Sequence, residues 1–326
     1  MLSAGNLLDS ASGLAVQARA DSTPAKAPVE RFRELCLILV FALILLATLL
    51  ALILRPATDG SGTGPAAQFL AAVLLVSAYS WASPRLGRLA DCCGTLGLVW
   101  LAGLGGGVIS LMGLRLHLPL VDQSLLHLDR SLGVDTPRLV EWAAAQGEWP
   151  ATITMSYNYT VPVLCFSIFA QALAGRRVET WRAAFCFMGS LLTVCLVSIF
   201  TPAKGLGTWL SADVLSQLPG GAVRYFWPSF DQFYGGADAV LTLSAIDGVV
   251  SFPSFHTVMG LITVTLWRKS PVGFGLALAW FLQMMIGTIP LGGHYVADLI
   301  GGALIWAGWF TASQRVTALE GRPPRC

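Results

Sequence analysis

Residues 35–54 read LCLILVFALILLATLLALIL, twenty residues without a charge between Glu34 and Arg55. A helix needs about 20 apolar residues to cross the hydrocarbon core of a bilayer. This run has that length, and it is not alone. Stretches without Asp, Glu, Lys or Arg recur at 60–84, 92–114, 149–175, 183–203, 248–267 and 270–297. Backbone groups in lipid must bond internally, so each stretch is expected to be helical. Composition points the same way. Of the 326 residues 55% are hydrophobic and 12% charged, half of the roughly 25% with which a soluble domain covers its surface. The expected fold is all-α: a polytopic transmembrane helix bundle of about 6–8 spans. We place these near 35–54, 66–83, 94–114, 151–174, 183–201, 253–267, 271–289 and 294–313.

The first apolar run starts too late and runs too long for a cleavable leader, and no small-residue cleavage site follows it. Residues 1–33 are expected to form a mobile tail outside the core. Residues 34–116 are expected to be N-terminal transmembrane helices, 117–313 a catalytic membrane domain, and 314–326 a second tail. Assigned to alternate sides of these spans, 14 of the 20 Lys and Arg residues fall with the N-terminus and 6 on the other face. The positive-inside rule then makes both tails cytoplasmic. The opposite face would be periplasmic, exterior or lumenal. None of the 7 cysteines falls in a loop on that face, so no disulfide framework is expected there.

The extracytoplasmic face carries the longer loops. Leu120–Ala145 is amphipathic, with Leu125, Leu128, Leu132, Leu139 and Trp142, and reads as one or two helices lying at the interface. Residues 202–252 are rich in glycine and aromatics. They suit either an aromatic belt or a wall over a lipid headgroup. Gly103 and Gly107 form one GxxxG pattern, expected to serve close helix packing.

Two of the 4 histidines lie at the mouths of spans on this same face. Ionisable groups at membrane depth are costly and mark function by default. His256 sits in Ser251-Phe252-Pro253-Ser254-Phe255-His256-Thr257. Proline suits the first turn of a helix. Ser254 and His256 would lie among the unpaired amides of its N-terminus, a site suited to phosphate oxygens. His256 could protonate a leaving oxygen there. His294 sits in Gly292-Gly293-His294-Tyr295-Val296-Ala297-Asp298. The i, i+4 spacing puts His294 and Asp298 on one helix face. A carboxylate on one imidazole nitrogen fixes the tautomer and sharpens the other as base or nucleophile. Gly293, with Gly292, would allow close backbone approach to a ligand. Lys204 and Arg224 emerge on the same face and can neutralise phosphate. Taken singly, an interfacial histidine, a His-x3-Asp or a snorkelling lysine is ordinary. Their shared sidedness is what joins them into a candidate site.

Pro253-Ser254-Phe255-His256 and His294 with Asp298 resemble the second and third motifs of the type 2 phosphatidic acid phosphatase superfamily, over roughly residues 117–312. The resemblance implies that His294 is the nucleophile, His256 the general acid and Asp298 the group orienting His294. The chain departs from the pattern in three places. Thr288 stands where the third motif has arginine, Phe255 where the second has glycine, and no Lys-x6-Arg-Pro segment exists. Lys204, in Thr201-Pro202-Ala203-Lys204-Gly205, stands in the region of that segment without its arginine. Phe-Pro-Ser-Phe-His-Thr and Gly-His-Tyr-x-x-Asp look like the inositol phosphorylceramide synthase-like branch, which includes phosphotransferases to alcohols.

The implied enzyme forms a phosphohistidine from a lipid-linked phosphate and passes it to water or to an alcohol. Its expected partners are that lipid phosphate and the bilayer, with no nucleic acid. No cofactor is expected, and no cluster of Asp and Glu suggests Mg²⁺. A CDP-alcohol phosphotransferase would need spaced aspartates on one helix, and Asp247 is isolated. No Gly-x-Ser-x-Gly supports an intramembrane serine protease. A non-catalytic lipid-binding or transport relative is the rival from another class, supported by the missing arginines.

Overall fold

The computed structural model describes residues 28–58, 74, 86–147, 150–236, 239–242 and 249–318. Described residues are mostly α-helical, with almost no strand. The N-terminal pair is α1 (Pro28–Leu54) and α2 (Gly87–Leu114). Two short helices follow, α3 (Asp122–Ser131) and α4 (Thr136–Ala144). Next come α5 (Ala151–Asn158), α6 (Thr160–Leu173) and α7 (Arg177–Phe200). The following loop holds a 3₁₀ turn at Leu206–Trp209, α8 (Ala212–Gln217) and α9 (Trp227–Gly235). The chain closes with α10 (Phe255–Leu266), α11 (Pro271–Thr288) and α12 (Val296–Ala318). A two-residue parallel contact joins Ala57–Thr58 to Val240–Leu241.

Five helices are long and apolar enough to cross a membrane: α1, α2, α7, α11 and α12. A sixth span is formed if α5 and α6 are taken together, bent by 64° at Tyr159. The apolar helix α10 is shorter, at 12 residues. The expected span near 66–83 lies outside the described residues, Leu74 apart. Large apolar side chains such as Phe41, Phe200, Leu276 and Leu304 are exposed. In water such a surface would aggregate; in lipid it is what a helix needs.

The largest core is built where α1, α2 and α7 pack together, joined by α10. Phe32, Leu43, Ile109, Trp181 and Met188 are fully buried there. Two expectations need correction. The tail boundary at 33 is too late: α1 begins at Pro28, where proline's fixed φ suits a first turn, and Phe32 is a core residue. Close helix packing is also not at Gly103, which faces open space. It is at Gly106 and Gly113, seven residues apart on one face, where an added Cβ would come within 2.9 Å of Leu191 and 2.8 Å of Ile199.

A buried carboxylate ties these helices at the end near the N-terminus. Asp91 of α2 accepts from Arg33 Nη2 at 2.6 Å and Trp181 Nε1 at 2.8 Å, and it also pairs with Arg177. A buried charge is tolerated when paired and hydrogen-bonded in this way.

The interfacial stretch forms two helices, α3 and α4. Asp135 caps α4 by accepting from Arg138 N, with Pro137 in the first turn.

Candidate active site

The site is assembled where α10 and α12 begin. Ser254 is the N-cap of α10, and its Oγ accepts from Thr257 N at 3.4 Å. Its own N–H donates to the Asp298 carbonyl at 3.0 Å. The hydroxyl expected on phosphate is therefore fully buried and committed to the cap. Ser254 ties the histidine of one helix to the carboxylate of the other.

His294 Nδ1 lies 3.0 Å from Asp298 Oδ2. The spacing expected this contact, but its setting differs from a shared helix face. His294 precedes α12 by two residues, while Asp298 is in the helix's first turn. Asp298 Oδ2 also accepts from Tyr295 N and from Ser251 Oγ, each at 3.0 Å. Both His294 and Asp298 are buried, at 3% and 0% exposure. With Asp298 ionised, Nδ1 carries the proton and Nε2 keeps its lone pair.

The His256 ring stands 5.9 Å from the His294 ring, centroid to centroid, and is inclined to it by 69°. On its other side His256 stacks on Tyr157 at 4.6 Å. A cavity of about 270 Å³ opens beside His256, lined among others by Thr154, Tyr157, Asn158, Thr160 and Tyr225. Its lining carries neutral polar groups and no carboxylate. A wider cleft of about 780 Å³ adjoins it, sharing Thr154 and Pro219.

Two loops back the loop that carries His294. Gly205, at φ +90°, brings residues 202–206 against Gly293, so that Leu206 N donates to the Gly293 carbonyl at 2.8 Å. A Cβ on Gly205 would meet that carbonyl at 2.9 Å. Gly293, at φ +73°, lies against the backbone of Val223. The close approach expected of Gly293 is thus made to protein main chain, and it sets where His294 begins.

Helix α3 anchors this arrangement with two acids. Asp122 accepts from Lys204 N at 2.9 Å, Gly205 N at 2.7 Å and Tyr295 Oη at 3.1 Å. Burial pushes its carboxyl above the usual range, against the pull of these donors. Trp209 Nε1 donates to Tyr295 Oη at 2.7 Å and extends the network. Asp129 accepts from Val296 N at 2.9 Å and Ala297 N at 2.8 Å, capping α12, and from Thr136 Oγ1 at 2.6 Å.

The two expected cations are placed differently. Lys204 Nζ pairs with Asp231 of α9 at 2.6 Å and sits 4.7 Å from the Trp227 ring centroid. Arg224 is exposed, and its side chain has no hydrogen bond or ion pair among the described residues. It directly follows Val223, the residue touching Gly293.

The family model described as the PAP2 superfamily matches residues 123–312. The chain belongs to the PAP2 superfamily. No curated protein and no solved structure matches the chain. The PAP2 match begins inside α3 and ends inside α12, so it takes in Asp129, His256, His294 and Asp298. PAP2 membership supports a membrane enzyme of the lipid phosphatase type.

Ser251, Asp122, Asp129, Tyr157 and Asp231 were not among the site residues expected from sequence. The signal for two of them was present. Asp122 and Asp129 are seven residues apart, on the same face of α3 as the buried Leu125. Acids on the apolar stripe of an amphipathic helix need buried donors.

Proposed function

We propose that this PAP2 protein is a lipid phosphoesterase or phosphotransferase working through a phosphohistidine at the extracytoplasmic face. The observation that carries the reading is the His294–Asp298 contact at 3.0 Å, with His256 facing the same imidazole. Nε2 of His294 attacks phosphorus of a lipid-linked phosphate. The bond from phosphorus to the leaving oxygen breaks, and His256 gives that oxygen its proton. Asp298 holds the positive charge that builds on His294. In the second half an acceptor hydroxyl gives its proton to His256 and attacks phosphorus, and the bond to His294 breaks. Water as acceptor makes a phosphatase; an alcohol makes a transferase.

The cavity beside His256 favours the transferase reading. Its neutral hydroxyl and amide lining suits an alcohol acceptor or a hydroxylated headgroup. The resemblance of Phe252–Thr257 to the inositol phosphorylceramide synthase-like branch supports the same choice. Phosphate charge is met by Lys204 and Arg224 in place of the missing arginines, with Gly293 and Ser254 fixing the loop and helix around it.

The test is a rapid quench of purified protein with a ³²P-labelled lipid phosphate at alkaline pH, where phosphohistidine survives. Labelled histidine is expected in the wild type and absent in His294→Ala. Label retained in that variant rejects the nucleophile; incorporation nowhere, despite turnover, rejects the covalent route. Adding a lipid alcohol then separates transfer from hydrolysis by the product formed.

A further inference from the structure

At the end of the bundle away from His294, a small cavity lies between α7, α10 and α12. Phe310, on its wall, follows Asp298 along α12 by about 18 Å at 1.5 Å per residue. Arg182 and Arg268 both line this cavity, with Glu179 as its carboxylate.

Arg182 is 8% exposed, so its head does not reach out to solvent. Its Nη2 donates to Thr317 Oγ1 at 3.4 Å, and its buried Nε has no partner among the described residues. Glu179 is engaged by Lys269. Arg268 has no carboxylate partner among the described residues; its guanidinium lies 5.5 Å from the Phe310 ring centroid. Arg182, Arg268 and Lys269 thus face one carboxylate. One carboxylate for three cations leaves the buried guanidinium of Arg182 short of counter-charge, which is unfavourable. The free volume of about 20 Å³ holds one atom of oxygen size between these groups.

We propose that this cavity is a second anion site, seating one oxygen of a phosphate group between Arg182 and Arg268, away from the catalytic histidines. Guanidinium is the side chain best matched to phosphate oxygens, and Arg182 is held ready for it with an N–H unspent. The phosphate belongs to a phospholipid headgroup or to a soluble phosphate; the recognition chemistry is the same. Occupancy ties together α10, which carries His256, and α12, which carries Asp298, through α7.

The experiment uses the full-length protein in nanodiscs of phosphatidylcholine alone or mixed with phosphatidylglycerol. Wild type is expected to melt about 2–4 °C higher with phosphatidylglycerol, and Arg182→Gln and Arg268→Gln to lose that rise. Binding at the His294 end contributes alike to wild type and variants, so the difference isolates the second site. A second arm compares sodium phosphate with sodium chloride of equal ionic strength in neutral detergent. A rise there, lost in the variants, assigns the site to soluble phosphate; a rise confined to the nanodiscs assigns it to lipid. Equal rises in wild type and variants, or none in either arm, overturn the proposal. Should Arg182→Gln fail to fold, Arg268→Gln, partly exposed, carries the comparison alone.

Discussion

Asp129 accepts the backbone N–H of Val296 at 2.9 Å, although 167 residues separate the two. Through this bond and its neighbour from Ala297, an interfacial helix sets the first turn of the helix that carries Asp298. The loop that carries His294 is therefore held from outside the long apolar helices.

Removing that cap should be felt in both stability and activity. Asp129→Ala leaves two amides and the Thr136 hydroxyl without their acceptor. The loss is expected at about 1–3 kcal/mol, seen as a lower melting temperature, with turnover reduced because His294 is no longer aimed. Unchanged melting and turnover would show that α12 starts correctly without Asp129.

The catalytic groups should fail in distinguishable ways. Asp298→Asn is expected to keep the fold, since the bond from Ser254 runs to the backbone carbonyl, and to lose activity through the wrong tautomer, by about 10⁴-fold. Ser251→Ala, removing one of three donors to Oδ2, should cost far less. His256→Ala should lose about 10²–10⁴-fold on a lipid substrate and recover part of that on an aryl phosphate, whose leaving group needs no proton. An aryl phosphate rescued equally in His294→Ala would contradict the division of roles.

Lys204 lies in a pair with Asp231, and its use on phosphate requires sharing. Lys204→Ala is expected to raise KM for the anionic substrate and to lower kcat/KM by at least about tenfold, roughly the value of one charge-assisted hydrogen bond. Lys204→Arg should restore part of it. Asp231→Asn, by freeing the ammonium, should lower KM. If Arg224→Ala is crippling while Lys204→Ala is silent, the phosphate is held from the other loop.

Sidedness has a direct readout. Gly220, with open space at its Cβ position, and Gln314, exposed near the end of α12, can each take cysteine without a clash. An impermeant thiol reagent on intact cells is expected to label Gly220→Cys above the wild-type background and not Gln314→Cys. The opposite pattern reverses the topology and the substrate pool.

Much of this architecture is visible in the residues alone, because lipid leaves so few options. A charge-free run of twenty residues can only be a helix there, and five of the expected spans are helices long enough to cross, with ends displaced by up to seven residues; 151–174 is bent at Tyr159, the helix in 253–267 is shorter, and 66–83 lies outside the described residues, Leu74 apart. The His294–Asp298 contact was equally legible, since it is local in sequence. What could not be read were bonds between distant segments. Nothing near Val296 announces Asp129, and nothing near Lys204 announces Asp231. The glycines of α2 make the same point. Gly103 opens a familiar spacing, yet it faces open space, while Gly106 and Gly113 lie against Leu191 and Ile199 of α7.

The packing of α1 and α2 on α7 bears on how the protein can be divided. The PAP2 match starts at residue 123, and it is tempting to regard what precedes it as an accessory anchor. Yet Leu191 nests against Gly106, and Asp91 engages Arg177 and the Trp181 indole. A chain trimmed to the matched segment would bare that flank of α7 and strip Arg177 of its carboxylate. The first two helices are the far wall of the same room, and the segment that carries the chemistry is not a free-standing unit.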